Sequence, residues 1–266
     1  MNRRRFIAAL AGAAATAASV ATTGCSSGAT TRLRVGMELG YPPFEMTDEQ
    51  GNPVGVSVDL ARALAESLGL ELQVENIAFD GLIPALKTGR IDLILSSLTR
   101  TEERAESIDF SDPYLETGLC LLVGKSTPIQ SAADLDQPGR TVAVKKGTTG
   151  HTYATARLSR ASVLVLDKEA AAVLEVVQGK ADAFIYDQFS VFQHARRNPD
   201  TTRALLRPFQ VEHWAVGLRK GDTERQTQVN RFLAGFRASG GFEKLGDRWL
   251  SEPKAGFREL GIPFVF

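Results

Sequence analysis

Ser96-Ser97-Leu98-Thr99, with Arg104 shortly after, is the stretch best suited to chemistry: several hydroxyls followed by a guanidinium. Hydroxyls and freed backbone N–H groups can donate to one oxygen of a small carboxylate, while the planar arginine fork donates two parallel bonds. Taken alone, the same residues also fit a surface loop with solvated charges. Nucleophilic chemistry is less well served. His151, His194 and His213 lie far apart and match no metal-ligand spacing. No nucleophile–base set is recognisable, so Ser96 and Ser97 read as hydrogen-bond donors. No metal and no cofactor is expected.

The elements that must position these residues follow from periodicity. Ile91, Leu93, Ile94 and Leu95 form a buried strand that gives out into the hydroxyl cluster. Upstream, Leu33–Met37 alternates as a strand ending at Glu38, and Gly40-Tyr41-Pro42-Pro43-Phe44 cannot continue it because proline removes donors. Leu60, Ala61, Leu64, Ala65 and Leu68 fall at helical spacing, closed by Gly69; Leu70–Val74 is a strand, and Leu82, Ile83 and Leu86 make a short helix. Strand–helix alternation predicts an α/β fold with largely parallel sheets whose loops gather at one edge. The alternation restarts after Tyr114, with strands at 119–123, 141–144, 163–166 and 181–185 and helices at 150–159 and 168–178. A strand at His213–Leu218 and two helices, about 223–238 and 241–249, complete the chain.

The 266 residues carry 31 Lys+Arg and 31 Asp+Glu, and no basic stripe with interleaved aromatics suggests nucleic acid. Arg3-Arg4-Arg5, Phe6-Ile7 and an Ala-rich apolar run form an export signal, 1–25, rather than a spanning helix. Its start resembles a twin-arginine signal, and Thr22-Thr23-Gly24-Cys25 resembles a lipobox that leaves Cys25 lipidated, although Thr22 stands where Leu is usual. Plain cleavage nearby is the alternative. Residues 26–31 read as a polar linker. Lipidation of Cys25 leaves Cys120 without an intrachain partner, and its apolar run makes it a buried small hydrophobe.

Several stretches, in this order, resemble the family 3 extracellular solute-binding proteins, the polar amino-acid receptors of ABC importers. They are Tyr41–Phe44, Gly55–Ala61, Phe79–Leu86, Thr99–Arg104, Ile108–Tyr114, Val142–Thr149, Ala181–Ala183 with Asp187, and Val216–Asp222. The resemblance implies a two-lobed periplasmic-binding-protein fold of type II with two hinge crossings. Lobe 1 would span 32–115 and return at 212–266; lobe 2 with its crossings would span 116–211, with Gly118 as a hinge.

The same resemblance implies residue roles. Arg104 clasps a ligand carboxylate with Thr99, and the backbone at Thr149 adds a donor where a strand end meets a helix N-terminus. Asp187 takes the ammonium, helix N-capping being its other possible task. Tyr41 and Phe79 sandwich the aliphatic part, with core packing as the alternative. Glu38, Ser97, Lys145 and Tyr186 recognise the side chain. Glu38 with Lys145 suits an amide, so a glutamine-like ligand is favoured; alternatively the two pair with each other across the cleft. Lys146 departs from the polar residue common there.

The function implied is binding of a free polar amino acid outside the cytoplasm, with delivery to an ABC permease whose ATPase is a separate chain. The protein would be a monomer held to the membrane by its lipid and would catalyse no reaction. The alternatives are a cyclohexadienyl-dehydratase-like enzyme, using a cleft acid such as Glu38, or a ligand-sensing receptor subunit.

Overall fold

The computed structural model describes residues 31–263. The export signal, Cys25, most of the linker and the last three residues lie outside the described residues. Strand β1 (Arg32–Met37) leads through the short pair β2 (Met46–Thr47) and β3 (Pro53–Val54) to helix α1 (Val56–Ser67). Leu60, Ala61, Leu64 and Ala65 are buried along one face of α1, Leu68 is half-buried at its C-cap, and Gly69 follows at a positive φ of 66°. Next come β4 (Glu71–Asn76), a 3₁₀ turn at Phe79–Gly81, α2 (Leu82–Lys87), β5 (Leu93–Ile94), α3 (Glu102–Ser107) and β6 (Ile108–Phe110).

The second unit begins with β7 (Leu115–Gly124) and contains a 3₁₀ turn at Ala132–Asp134, β8 (Thr141–Lys145), α4 (Thr149–Arg157), β9 (Ser162–Leu166), α5 (Glu169–Val177), β10 (Ala183–Asp187), α6 (Gln188–Arg197) and β11 (Thr202–Trp214). The chain then adds β12 (Gly217–Arg219), α7 (Thr223–Ala238), α8 (Gly241–Trp249) and α9 (Ser251–Glu259).

Each lobe is built on one five-stranded sheet flanked by helices. The first has the order β4-β1-β5-β12-β6, the second β11-β7-β10-β8-β9. Strands joined by helices pair in parallel, as predicted: β1 with β4 and β5, and β8 with β9 and β10. The strands that enter from elsewhere in the chain are antiparallel: β12 against β5 and β6, and β7 against β10 and β11. The sheets are therefore mixed, because a strand arriving without a crossover helix has no need to run parallel.

Elements β2, β3, α3, β6, α6, α9 and most of β11 were not foreseen. Helix α6 buries the polar Gln188 and Ser190 together with Phe189, Val191 and Phe192 in its first half. Strand β11 contains Pro208, which reads as a breaker; its pairing with β7 shifts register between Leu205 and Gln210, and such a bulge tolerates proline. Helix α9 packs Phe257 against Phe189 and Phe192 of α6.

The two strands that join the lobes pair with each other, Leu115 opposite Trp214 and Gly118 opposite Val211. A Cβ at Gly118 would stand 2.5 Å from the Gln210 carbonyl oxygen and 2.7 Å from Pro208 Cβ. Both neighbours are stiff, so Gly118→Ala is expected to destabilise by about 1–3 kcal/mol. Thermal unfolding tests this, and an unchanged Tm would show that the two strands separate freely there.

Candidate functional site

Loops that follow the carboxyl ends of parallel strands converge, and polar side chains placed there face a common crevice. Glu38 and Tyr41 follow β1, Ser96, Ser97 and Thr99 follow β5, Lys145 ends β8, and Tyr186 and Asp187 end β10. These residues line one cavity with Phe79, Arg104 and Thr149. All ten side chains singled out from sequence thus share a cavity, with about 40 Å³ open to the centres of water-sized spheres. That is enough for a few waters.

Arg104 lies in the first turn of α3, whose N-cap Thr101 accepts a hydrogen bond from the Arg104 amide at 3.1 Å. Its guanidinium donates to the Thr99 carbonyl at 2.6 Å and, across the cleft, to the Gly147 carbonyl at 2.9 Å. Gly147 has a φ of 76°, and a Cβ there would meet Asp80 at 3.0 Å, so glycine permits this close approach. Among the described residues no carboxylate lies within salt-bridge distance of Arg104. Burial pulls its pKa down, against the field of Glu212 and Glu103. A cation in this state is set up to gain an anionic partner.

Asp187 forms the opposite pole and is also the N-cap of α6. Its Oδ1 accepts from the amides of Phe189 (3.0 Å) and Ser190 (3.1 Å), and from the Tyr41 hydroxyl at 2.7 Å. The two tasks weighed from sequence are compatible, since capping engages one carboxylate oxygen. Burial, aided by the field of Glu169, raises the Asp187 pKa to about 7, against the Tyr41 and backbone hydrogen bonds.

The side-chain recognition group is largely paired. Lys145, only 2% exposed, donates to Glu38 Oε2 across the cleft, the latch weighed from sequence. Lys146 pairs with Asp80 at 2.8 Å on the rim rather than pointing freely to water. The Phe79 ring faces two cations, Arg104 at 5.6 Å and Lys145 at 5.3 Å from its centroid. Tyr41 lines the cavity and also stacks on Phe44 at 5.2 Å, so wall and core packing coincide.

Sequence reasoning missed several cavity residues. Glu45 is fully buried and takes the Ser97 hydroxyl on both oxygens, at 2.9 and 3.1 Å. Burial pushes its carboxyl well above the usual range, although the Ser97 hydroxyl and the Lys145 charge pull the other way. Ser97 reaches it from a φ of 49°, an uncommon conformation for a non-glycine residue. Glu212 accepts the Thr99 hydroxyl at 3.0 Å, so Thr99 is engaged by an acid as well as standing beside Arg104. Trp214 also lines the wall. Glu45 follows the Pro-Pro-Phe loop, the one sequence signal that could have found it; Glu212 lies in the unforeseen part of β11, and Trp214 within the strand predicted from His213.

The profile of the bacterial extracellular solute-binding proteins, family 3, matches residues 33–252. The chain belongs to this family. Its relatives include the L-arginine-binding protein of Pseudomonas aeruginosa, 31% identical over 231 residues that cover 82% of this chain and 88% of the relative. An ancestral arginine-binding protein bound to glutamine superposes with a TM-score of 0.77 at 34% identity, covering 84% of this chain and 99% of the other. The ancestral amino acid-binding protein AncCDT-1, a precursor of cyclohexadienyl dehydratase, gives a TM-score of 0.77 at 37% identity over 82% and 95% of the two chains. These two-lobed neighbours agree with the architecture of this solute-binding protein. Among its described residues no helix is long and apolar enough to cross a membrane.

Proposed function

We propose that this family member captures a free polar amino acid outside the cytoplasm and presents it to an ABC permease by closing its two lobes. The observation that carries this reading is the placement of Arg104, bonded among the described residues to carbonyls alone, in the same cavity as Asp187 from the other sheet. A zwitterion matches that pair: its carboxylate takes Arg104, supported by Thr99 and the N-terminal amides of α4 at Thr149, and its ammonium takes Asp187. Lobe 1 comprises residues 32–115 and the return segment from 212; lobe 2 lies between. The closed form gains contacts from both lobes, and that difference in affinity shifts the population toward closure. Cys25 carries a lipid that holds the monomeric receptor at the membrane after export through a twin-arginine-type signal.

A glutamine-like side chain suits the Glu38–Lys145 pair, which offers one acceptor and one donor to an amide. The lining also holds four acids, Glu38, Glu45, Asp187 and Glu212, against two cations, Arg104 and Lys145, so a basic side chain is the competing choice. Thermal unfolding of the processed protein against the twenty amino acids decides. A ligand at about 100 times its Kd stabilises by about 2.7 kcal/mol. Glutamine leading the panel supports the amide; arginine or lysine leading it shows that the cation opens the Glu38–Lys145 pair. A flat panel overturns the receptor reading.

The buried Glu45 favours one second reading, a dehydratase-like enzyme. An acid whose proton is held well above the usual carboxylate range by burial can protonate a leaving hydroxyl. Incubation with prephenate or arogenate separates the two: turnover without amino-acid binding selects the enzyme.

A further inference from the structure

Behind Asp187 lies a second buried acid that touches neither the cavity nor any group assigned a task above. Glu169 opens α5 and is 6% exposed. Its Oε1 accepts from the Ser190 hydroxyl at 2.6 Å and contacts His194 Nε2 at 2.8 Å, both on α6. Its Oε2 is buried and, among the described residues, has no hydrogen-bond partner. Ser190 is also one of the two residues whose amides Asp187 caps, so one serine ties both acids to the first turn of α6.

We propose that Glu169 is a positioning residue for the ammonium pole: pinned to α6 through Ser190, it places a second negative charge behind Asp187 and makes ligand capture depend on pH. The inference rests on Asp187 being the ammonium site. Two acids close together in a buried setting resist ionising together, so the inner one makes the outer one hold its proton longer. Once a ligand ammonium arrives, the same inner charge attracts it. Glu169 therefore lowers capture in acid and strengthens it in base.

The groups around the pair are accounted for. Tyr41 faces Asp187 from the loop after β1, and Tyr186 and Cys120 face it from β10 and β7. Burial pushes all three up, so they stay neutral. His194 faces Glu169 from α6, and among the described residues no lysine or arginine forms a salt bridge with either acid.

The test measures amino-acid affinity from pH 5 to 8 in the wild-type protein and in Glu169→Gln, Glu169→Asp and Ser190→Ala. The Asp187 carboxyl is followed in parallel by carbon NMR without ligand. In E169Q the Asp187 midpoint should fall by about one pH unit, and affinity at pH 8 should weaken by about tenfold. E169D keeps the charge and should titrate near wild type, even if Gln at this site impairs folding. A purely structural role would weaken binding without moving the midpoint, so an unmoved midpoint in E169Q, with S190A equally affected, overturns the inference while leaving the receptor intact. A wild-type protein that binds no amino acid overturns the receptor reading itself, and this inference with it.

Discussion

Arg104→Ala is expected to abolish measurable amino-acid binding while leaving the unliganded protein folded. The guanidinium has carbonyl acceptors only, at Thr99 and Gly147, and no carboxylate of the described chain neutralises it. Removing one partner of a buried charge pair costs about 2–5 kcal/mol, roughly 30- to 4,000-fold in Kd. The carbonyls of Thr99 and Gly147 lose a donor, but both sit at the cavity wall where water can replace it. Titration calorimetry with the leading ligand of the amino-acid panel gives the loss, and thermal unfolding without ligand checks the fold. A variant that binds within threefold of wild type would remove Arg104 from the site.

Asp187→Asn is the second large effect, and the choice of Asn matters. Alanine would also delete the α6 cap, which costs about 0.5–2 kcal/mol by itself, and would strand the Tyr41 hydroxyl. Asn keeps a capping oxygen and removes the charge. Affinity should fall by about 2–5 kcal/mol with only a small loss of stability.

The pH dependence follows from the raised pKa of Asp187, about 7 in the folded protein. A ligand ammonium favours the ionised form, so binding should release a proton and strengthen by about tenfold from pH 6 to pH 8, one pKa unit either side of the midpoint. D187N should flatten this profile. In the unliganded protein the sign is opposite: the raised pKa contributes stability in acid that is lost as pH rises from about 4 to about 7. Calorimetry in buffers of different ionisation enthalpy reads the proton directly, and a pH-independent wild-type affinity would contradict the assignment.

Parts of this protein were legible locally. The strand endings at Glu38, the Ser96–Thr99 cluster, Lys145 and Asp187 are visible because an apolar run and its polar stop are neighbours in sequence. Those endings mark one edge of each sheet, and the resemblance carried by the order of motifs singled out the ten proposed residues. The same logic fails at β11, whose Pro208 interrupts a strand that tolerates it through a bulge, and at α6, whose first turns bury polar Gln188 and Ser190 beside apolar residues. It also fails at α9, which packs its Phe257 against that same α6.

Residue types and local spacing determined where strands stop and so brought Glu38, the Ser96–Thr99 cluster, Lys145 and Asp187 to the crevice. Their partners were decided by the tertiary structure alone. Glu38 meets Lys145 across 107 positions, Thr99 meets Glu212 across 113, and Tyr41 meets Asp187 across 146. No periodic pattern encodes such pairs; they exist because the two sheets bring their strand ends face to face. The charge states of Asp187 and Glu45 follow from the same closure, since burial and neighbouring acids, rather than residue identity, set how tightly each holds its proton.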